Sequence, residues 1–237
     1  MPFFKKITNG KLEECTKKII IFGNGGQTRT VYGYFFDEHK VEGFVVDDKY
    51  VSDQPSIGEL PVHPFSKITE IYPPEQYSVL VALGFKDLNQ LRQKKSEELS
   101  ALGYEFVSFI DRSVRVPCQY SIGSNSIVVG HADIHEGVVI KEGVFVSSGA
   151  VLGHDSILEN YSWIGSGAVL TGWVTIGDCT VLGMNVSIKQ NSILGHHTLV
   201  SPNSFVKVNT PPYSSIVSEA GKLVPIDSRR LHMFAYK

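Results

Sequence analysis

Between residues 122 and 206 one aliphatic side chain recurs every six residues, and few folds accept that period. From Ile122 the series runs Val128, Ile134, Ile140, Val146, Leu152, Leu158, Ile164, Leu170, Ile176, Leu182, Ile188, Leu194, Val200 and Val206, 15 positions with no insertion. Four residues after each stands a small or β-branched residue, as at Ser126, Ala150, Val174 and Ser204. A period of six matches neither the 3.6 of a helix nor the alternation of an ordinary strand. It matches a solenoid in which each short face turns one aliphatic and one small residue inward. Three faces make an 18-residue coil, which predicts about five coils of parallel β-helix stacked ~4.8 Å apart. Glycine follows the aliphatic position at Gly123, Gly153, Gly165, Gly177, Gly183 and Gly195. That placement reads as a corner too tight for a Cβ.

The first half of the chain obeys another pattern. Residues 18–22, KIIIF, are a continuous apolar run of the kind buried in a parallel sheet. Gly23-Asn24-Gly25-Gly26 follow, then Gln27 in a stretch able to start a helix, then a second strand ending at Asp47-Asp48. Strand, Gly-rich turn, helix and acid-tipped strand is the order of a mononucleotide-binding βαβ unit. Its glycines let backbone approach a phosphate, and the helix N-terminus offers free N–H groups. Read alone, the same cluster is equally a structural turn of an α/β domain. It is shorter than the full dinucleotide fingerprint, so nicotinamide binding is not supported. YSVLVALG, ending at Gly84, a polar helical stretch after Lys86, and EFVSFI complete this part.

A formal net charge of −2 lacks the basic excess of a nucleic-acid binder. Three cysteines without ligand spacing argue against a disulfide framework or structural zinc. The N-terminus carries no long apolar stretch, so neither a signal peptide nor a membrane span is expected, and the default location is cytoplasmic.

The repeat resembles that of the left-handed β-helix acyltransferases. IFGNGG, FVVDD, VALG and VLGHDS together resemble the nucleotide-sugar acyltransferases related to sialic acid O-acetyltransferases and to the bacillosamine-pathway and perosamine N-acetyltransferases. The resemblance implies an α/β, Rossmann-like domain over 1–110, a left-handed parallel β-helix over 111–210 and a C-terminal cap over 211–237. It implies that Gly23, Asn24, Gly25, Gly26, Gln27, Asp47, Asp48 and Gly84 hold the nucleotide sugar. It implies acetyl-coenzyme A as co-substrate and a homotrimer with sites between subunits, without metal, nucleic acid or membrane.

Acyl transfer from a thioester to an amine needs a base, an oxyanion donor and held geometry. Histidine titrates near neutral pH and suits the first role. His154 lies two residues past the inward Leu152, at a coil corner, followed by Asp155. By position alone it is either a base or an exposed turn residue; the family places its general base in this His-acid dipeptide, with the carboxylate as orienter. One coil on, 18 residues later, Gly172 should stack on His154, and its N–H is then placed to act as oxyanion donor. Trp163 stands where many relatives carry a second histidine against the acyl-coenzyme A; it can donate a hydrogen bond but cannot titrate. Lys207 and Lys222 are candidates for the coenzyme's phosphates. The chain departs from relatives at Gln27, at Ile110-Asp111-Arg112, at Ser147 and at VSEAGK (217–222). His131 and His135 are four apart and lack a third histidine in register, so zinc is not expected. Pro211-Pro212 should end the repeat, with a capping helix in SRRLHMFAYK.

The expected function is therefore acetyl-coenzyme A-dependent N-acetylation of a nucleotide-linked 4-amino-dideoxy sugar for cell-surface glycan synthesis, with His154 as general base and direct transfer. The alternatives are O-acetylation of sialic acid or another sugar hydroxyl, and a non-catalytic sugar-nucleotide-binding protein.

Overall fold

The computed structural model describes residues 4–8, 11–34, 41–52, 56–221 and 225. The capping helix expected at the C-terminus, and Lys222, lie outside the described residues.

An antiparallel hairpin of β1 (Phe4–Thr8) and β2 (Lys11–Glu14) comes first. A mostly parallel sheet follows, built from β3 (Lys18–Phe22), β4 (Val41–Val46), β5 (Ser56–Ile57), β6 (Leu60–Pro64), β7 (Tyr77–Val81) and β8 (Glu105–Phe106). Its spatial order is β5-β6-β4-β3-β7-β8, with only β5 antiparallel. The chain runs outward from β3 through β4 to β6, then returns to place β7 on β3's other side. The order thus reverses between β3 and β7, where ligands of open α/β sheets bind, outside the strands' C-terminal ends. Helix α1 (Gly26–Tyr32) leaves the β3 turn, α2 (Ile68–Ile71) follows β6, and α3 (Gln90–Ala101) follows β7.

β9 (Ser108–Ile110) opens the solenoid. Its residues Phe109 and Ile110 pair in parallel with Ile127 and Val128, 18 residues on, and every later rung repeats that offset as far as Phe205–Val206. Three parallel sheets result, forming the faces of a triangular prism. All 15 aliphatic positions are buried inside it, and so are the small residues four places later. Several buried hydroxyls are answered by corner carbonyls, as when Ser156 Oγ donates to Thr171 O (3.1 Å) and Thr180 Oγ1 to Gly195 O (2.8 Å), whereas Ser162 Oγ has no partner among the described residues. Pairing continues one strand beyond the expected end: Ser215–Ile216 pairs with Leu199–Val200 after a coil of only 16 residues, Pro211-Pro212 occupying the shortened corner.

The corners correct the reading of the repeat's glycines. The left-handed residue of each corner comes three places after the aliphatic one: from Asn125 to Asn203, every sixth residue has φ between 54° and 75°. Asn, Asp or Gly fills many of these positions, as left-handed backbone favours. The glycines directly after the aliphatic positions serve a different need. A Cβ on Gly123 would lie 2.5 Å from the carbonyl carbon of Lys141, and one on Gly153 2.5 Å from Thr171 O. Close approach of the next coil's backbone, not φ, excludes side chains there.

The α/β part covers one prism face. Ile127, Phe145, Trp163 and Val181 on that face share a core with Ile19, Ile21, Phe44 and Leu80. Arg92 of α3, fully buried, joins the two parts: its guanidinium donates to Val81 O (2.8 Å), Gly143 O (2.6 Å) and Asn125 O (2.5 Å). Desolvation pushes it down to about 10, which leaves it cationic at neutral pH. At the face's other corner the hydroxyls of Tyr34 and Ser148 lie 2.8 Å apart.

Candidate active site

The Gly-rich turn and the β7 loop meet at the reversal of strand order. Gly23 is buried at φ 133°, and a Cβ there would press on Thr28, Ala82 O (3.1 Å) and Leu83 (3.4 Å); Thr28 Oγ1 donates to Ala82 O (2.8 Å). Gly25 and Gly26, at the start of α1, have open space above them, and Gly84 faces Gln27. Asn24 Nδ2 donates to Tyr50 O (3.0 Å), so its amide fixes the loop after β4. Asp47 is held by Lys95 Nζ (2.7 Å), which also bonds Glu98. Asp48 Oδ1 accepts Ser66 N (3.0 Å), and hydrogen bonding from the Ser66 side chain, then from its backbone, holds the carboxyl below the usual value. Both acids thus fasten their own loops. Beside them opens a cleft of about 680 Å³ lined by Asp47, Lys49, Tyr50, Lys86, Gln90 and Lys94, among others. Lys49, Lys86 and Lys94 were missed from sequence because lone lysines carry no spacing signal.

His154 occupies a corner of the prism, between the face of Val151–Leu152 and that of Ile157–Leu158. This corner lies opposite the face that the α/β part covers. Its ring is half-exposed, with Nδ1 3.0 Å from Asp155 Oδ2. With an ionised carboxylate as acceptor, Nδ1 is the donor, and that tautomer leaves Nε2 with the lone pair a base needs. Asp155 sits at φ 56°, which an Asp tolerates. The 18-residue stack seats the imidazole on Gly172: a Cβ there would press closest on His154 Nε2 and lie 2.5 Å from Cε1. Among the described residues no acceptor takes the Gly172 N–H. Trp173, not foreseen from sequence, donates its backbone N–H to His154 O (2.9 Å) and sets its ring across the imidazole, centroids 4.3 Å apart at 86°. Below the ring runs a groove of about 660 Å³.

Trp163 is not brought to this corner. It is 6% exposed on the covered face, stacked on Phe145 (4.0 Å, 7°) and edge-on to Phe85 (5.1 Å). Burial between solenoid and α/β part commits its ring to packing, so the coenzyme contact expected of it is not available within one chain. Lys207 stands exposed on the His154 corner, three coils further along, roughly 14 Å up the axis. His196 and His197 lie at a different corner, Nδ1 to Nδ1 2.9 Å, with Tyr213 stacked on His197. His131 is an exposed left-handed corner residue, and His135 lies 3.6 Å from Asp133. Among the described residues no three His, Cys, Asp or Glu side chains converge as metal ligands, and no helix is long and apolar enough to cross a membrane.

The GMPPB C-terminal domain family matches residues 106–216, a little under half of the chain. No curated protein sequence matches. Among solved structures, the acetyltransferase domain of PglB from Neisseria gonorrhoeae is 25% identical, with a TM-score of 0.76 over 84% of this chain and 96% of that one. The same domain in complex with acetyl coenzyme A gives 26% and 0.75, over 84% and 95%. PerB from Caulobacter crescentus, in complex with CoA and GDP-perosamine, is 23% identical with a TM-score of 0.75 over 84% and 92%, a likeness of fold. With its α/β part set before a coil of hexads, the chain shares the fold of these acetyltransferase structures, an α/β domain followed by a left-handed parallel β-helix.

Proposed function

We propose that the protein is an acetyl-coenzyme A-dependent N-acetyltransferase acting on the amino group of a nucleotide-linked amino-dideoxy sugar, in the cytoplasm. The observation that carries the reading is the His154 imidazole, oriented by Asp155 and seated on Gly172. The acetyltransferase domain of similar length and fold supports it. The amine attacks the thioester carbonyl; as the N–C bond forms, His154 Nε2 takes the amine's proton. The Gly172 N–H answers the charge on the carbonyl oxygen. When the C–S bond breaks, His154 returns the proton to the departing sulfur, leaving an amide and free coenzyme A. Lys207, further up the same corner, is the cation for the coenzyme's phosphates.

The cleft beside Gly23–Gln27, Asp47, Asp48 and Gly84 is the nucleotide's place on this reading, with Lys49, Lys86 and Lys94 neutralising the diphosphate. It opens on the covered side of the prism, away from the chain's own His154. A nucleotide sugar held by one subunit therefore meets the base of another, which supports a homotrimer with sites between subunits.

The test is His154→Asn: activity should fall by about 10²–10⁴-fold while the assembly stays folded. Near-parental turnover would refute the assignment. Acetylation of sialic acid but of no nucleotide-linked amino-sugar would favour the O-acetyl alternative.

A further inference from the structure

The groove beneath His154 extends the site toward the solenoid's first coils. It is lined by Arg115, Cys118, Asp133, His135, Glu136 and the imidazole itself, among others. The imidazole is closed from above by Gly172, so a nucleophile that must come within hydrogen-bonding reach of Nε2 approaches from the side of this groove. Glu136 lies directly under His154: the residues are one coil apart on the same corner, and Asp155 N donates to Glu136 O (2.9 Å). One carboxylate oxygen of Glu136 accepts Gln119 N (3.1 Å), which fixes the side chain against the corner. The other has no donor among the described residues. Asp133, by contrast, faces His135 at 3.6 Å.

We propose that this groove seats the acceptor sugar and that Glu136 selects a protonated amine over a hydroxyl there. The inference rests on the function proposed above and deepens it. A sugar amine reaches the protein as an ammonium with three donors and a full positive charge. A hydroxyl offers one donor and no charge. A fixed carboxylate discriminates between them, because both can donate to it but only the ammonium adds direct charge–charge attraction. The ammonium gives one proton to solvent before attack, and the remaining amine stays bonded to Glu136 while His154 takes the second proton. Glu136 is thus a specificity-determining residue, and its effect belongs in acceptor binding.

The experiment compares the parent and Glu136→Gln, which keeps the bond from Gln119 N and the side chain's shape. The acceptors are uridine, guanosine and thymidine diphosphate 4-amino-4,6-dideoxyhexoses and their 4-hydroxy counterparts. The expected result is an acceptor KM raised about 10-fold for the amino-sugar, with kcat and the KM for acetyl-coenzyme A within about 3-fold of parental. The preference for amine over hydroxyl should narrow by the same factor. An unchanged acceptor KM, or a loss confined to kcat, overturns the assignment of Glu136 while leaving the acetyltransferase reading intact. Failure of the parent to acetylate any of these sugars overturns both.

Discussion

Substituting Gly172 by alanine tests whether the base is held by the next coil stacked on it. The Cβ introduced would lie 2.5 Å from His154 Cε1, whereas non-bonded carbons rest at about 3.5–4.0 Å. The imidazole must therefore retreat by about 1 Å. A displacement of that size at a reacting group costs about 10²-fold in rate. Residue 172 keeps its N–H, so the oxyanion donor survives and the loss reports ring position. The obstruction is the end of a half-exposed side chain and not backbone, so the melting temperature should hardly move. Gly153→Ala is the control with the opposite signature. Its Cβ would meet Thr171 O at 2.5 Å, part of the next coil's backbone, and should destabilise the protein by about 1–3 kcal/mol. Thiol release from acetyl-coenzyme A gives kcat, and thermal melting gives stability. A Gly172→Ala protein within 3-fold of parental kcat (roughly 0.6 kcal/mol in the barrier) would refute the stacked-base geometry.

Trp163→Ala should destabilise the protein by about 3–5 kcal/mol through the cavity left beside Phe145 and Phe85, with the KM for acetyl-coenzyme A unchanged. A raised KM with unaltered urea stability would instead restore a coenzyme role. Burial, and then the neighbouring His196, hold His197 below the ordinary 6.5. The unfolded chain then takes up the proton more readily, so this contribution is complete above 6.5 and is lost as pH falls through the lowered value. Melting temperature should drop between pH 8 and pH 5, and drop less in His197→Asn, whose side chain suits φ 56°. Parallel pH profiles for the two proteins would rule this out.

The solenoid was legible because its period reports one repeated physical demand, an aliphatic side chain in the prism's interior. Sequence also placed His154 against Gly172, since a coil of fixed length turns a spacing of 18 into a contact. Four features escaped. The aliphatic series alone does not say which residue of a corner is left-handed, since Tyr161, Trp173 and Cys179 adopt φ near 55° as readily as the asparagines. Ile110 and Val116 carry the six-residue spacing back before Ile122, but Val116 is exposed, so spacing alone does not mark where the buried series begins. Trp163 carries the outward position of its strand, and whether outward means solvent or a docked domain depends on which face the α/β part covers. Arg92 shows the same difficulty. A buried guanidinium bonded to three carbonyls leaves no trace in a helix that otherwise reads as polar and solvated.

The pairing of β1 with β2 and β9 has a consequence for assembly. A coiled stack ends in open rungs, and an unpaired rung is a template on which another chain can lengthen the column. Here β1 lies antiparallel along β9, so the lowest rung of the covered face meets a strand of the wrong polarity for a further coil. The hairpin works as a terminator on that face, favouring closed particles over filaments.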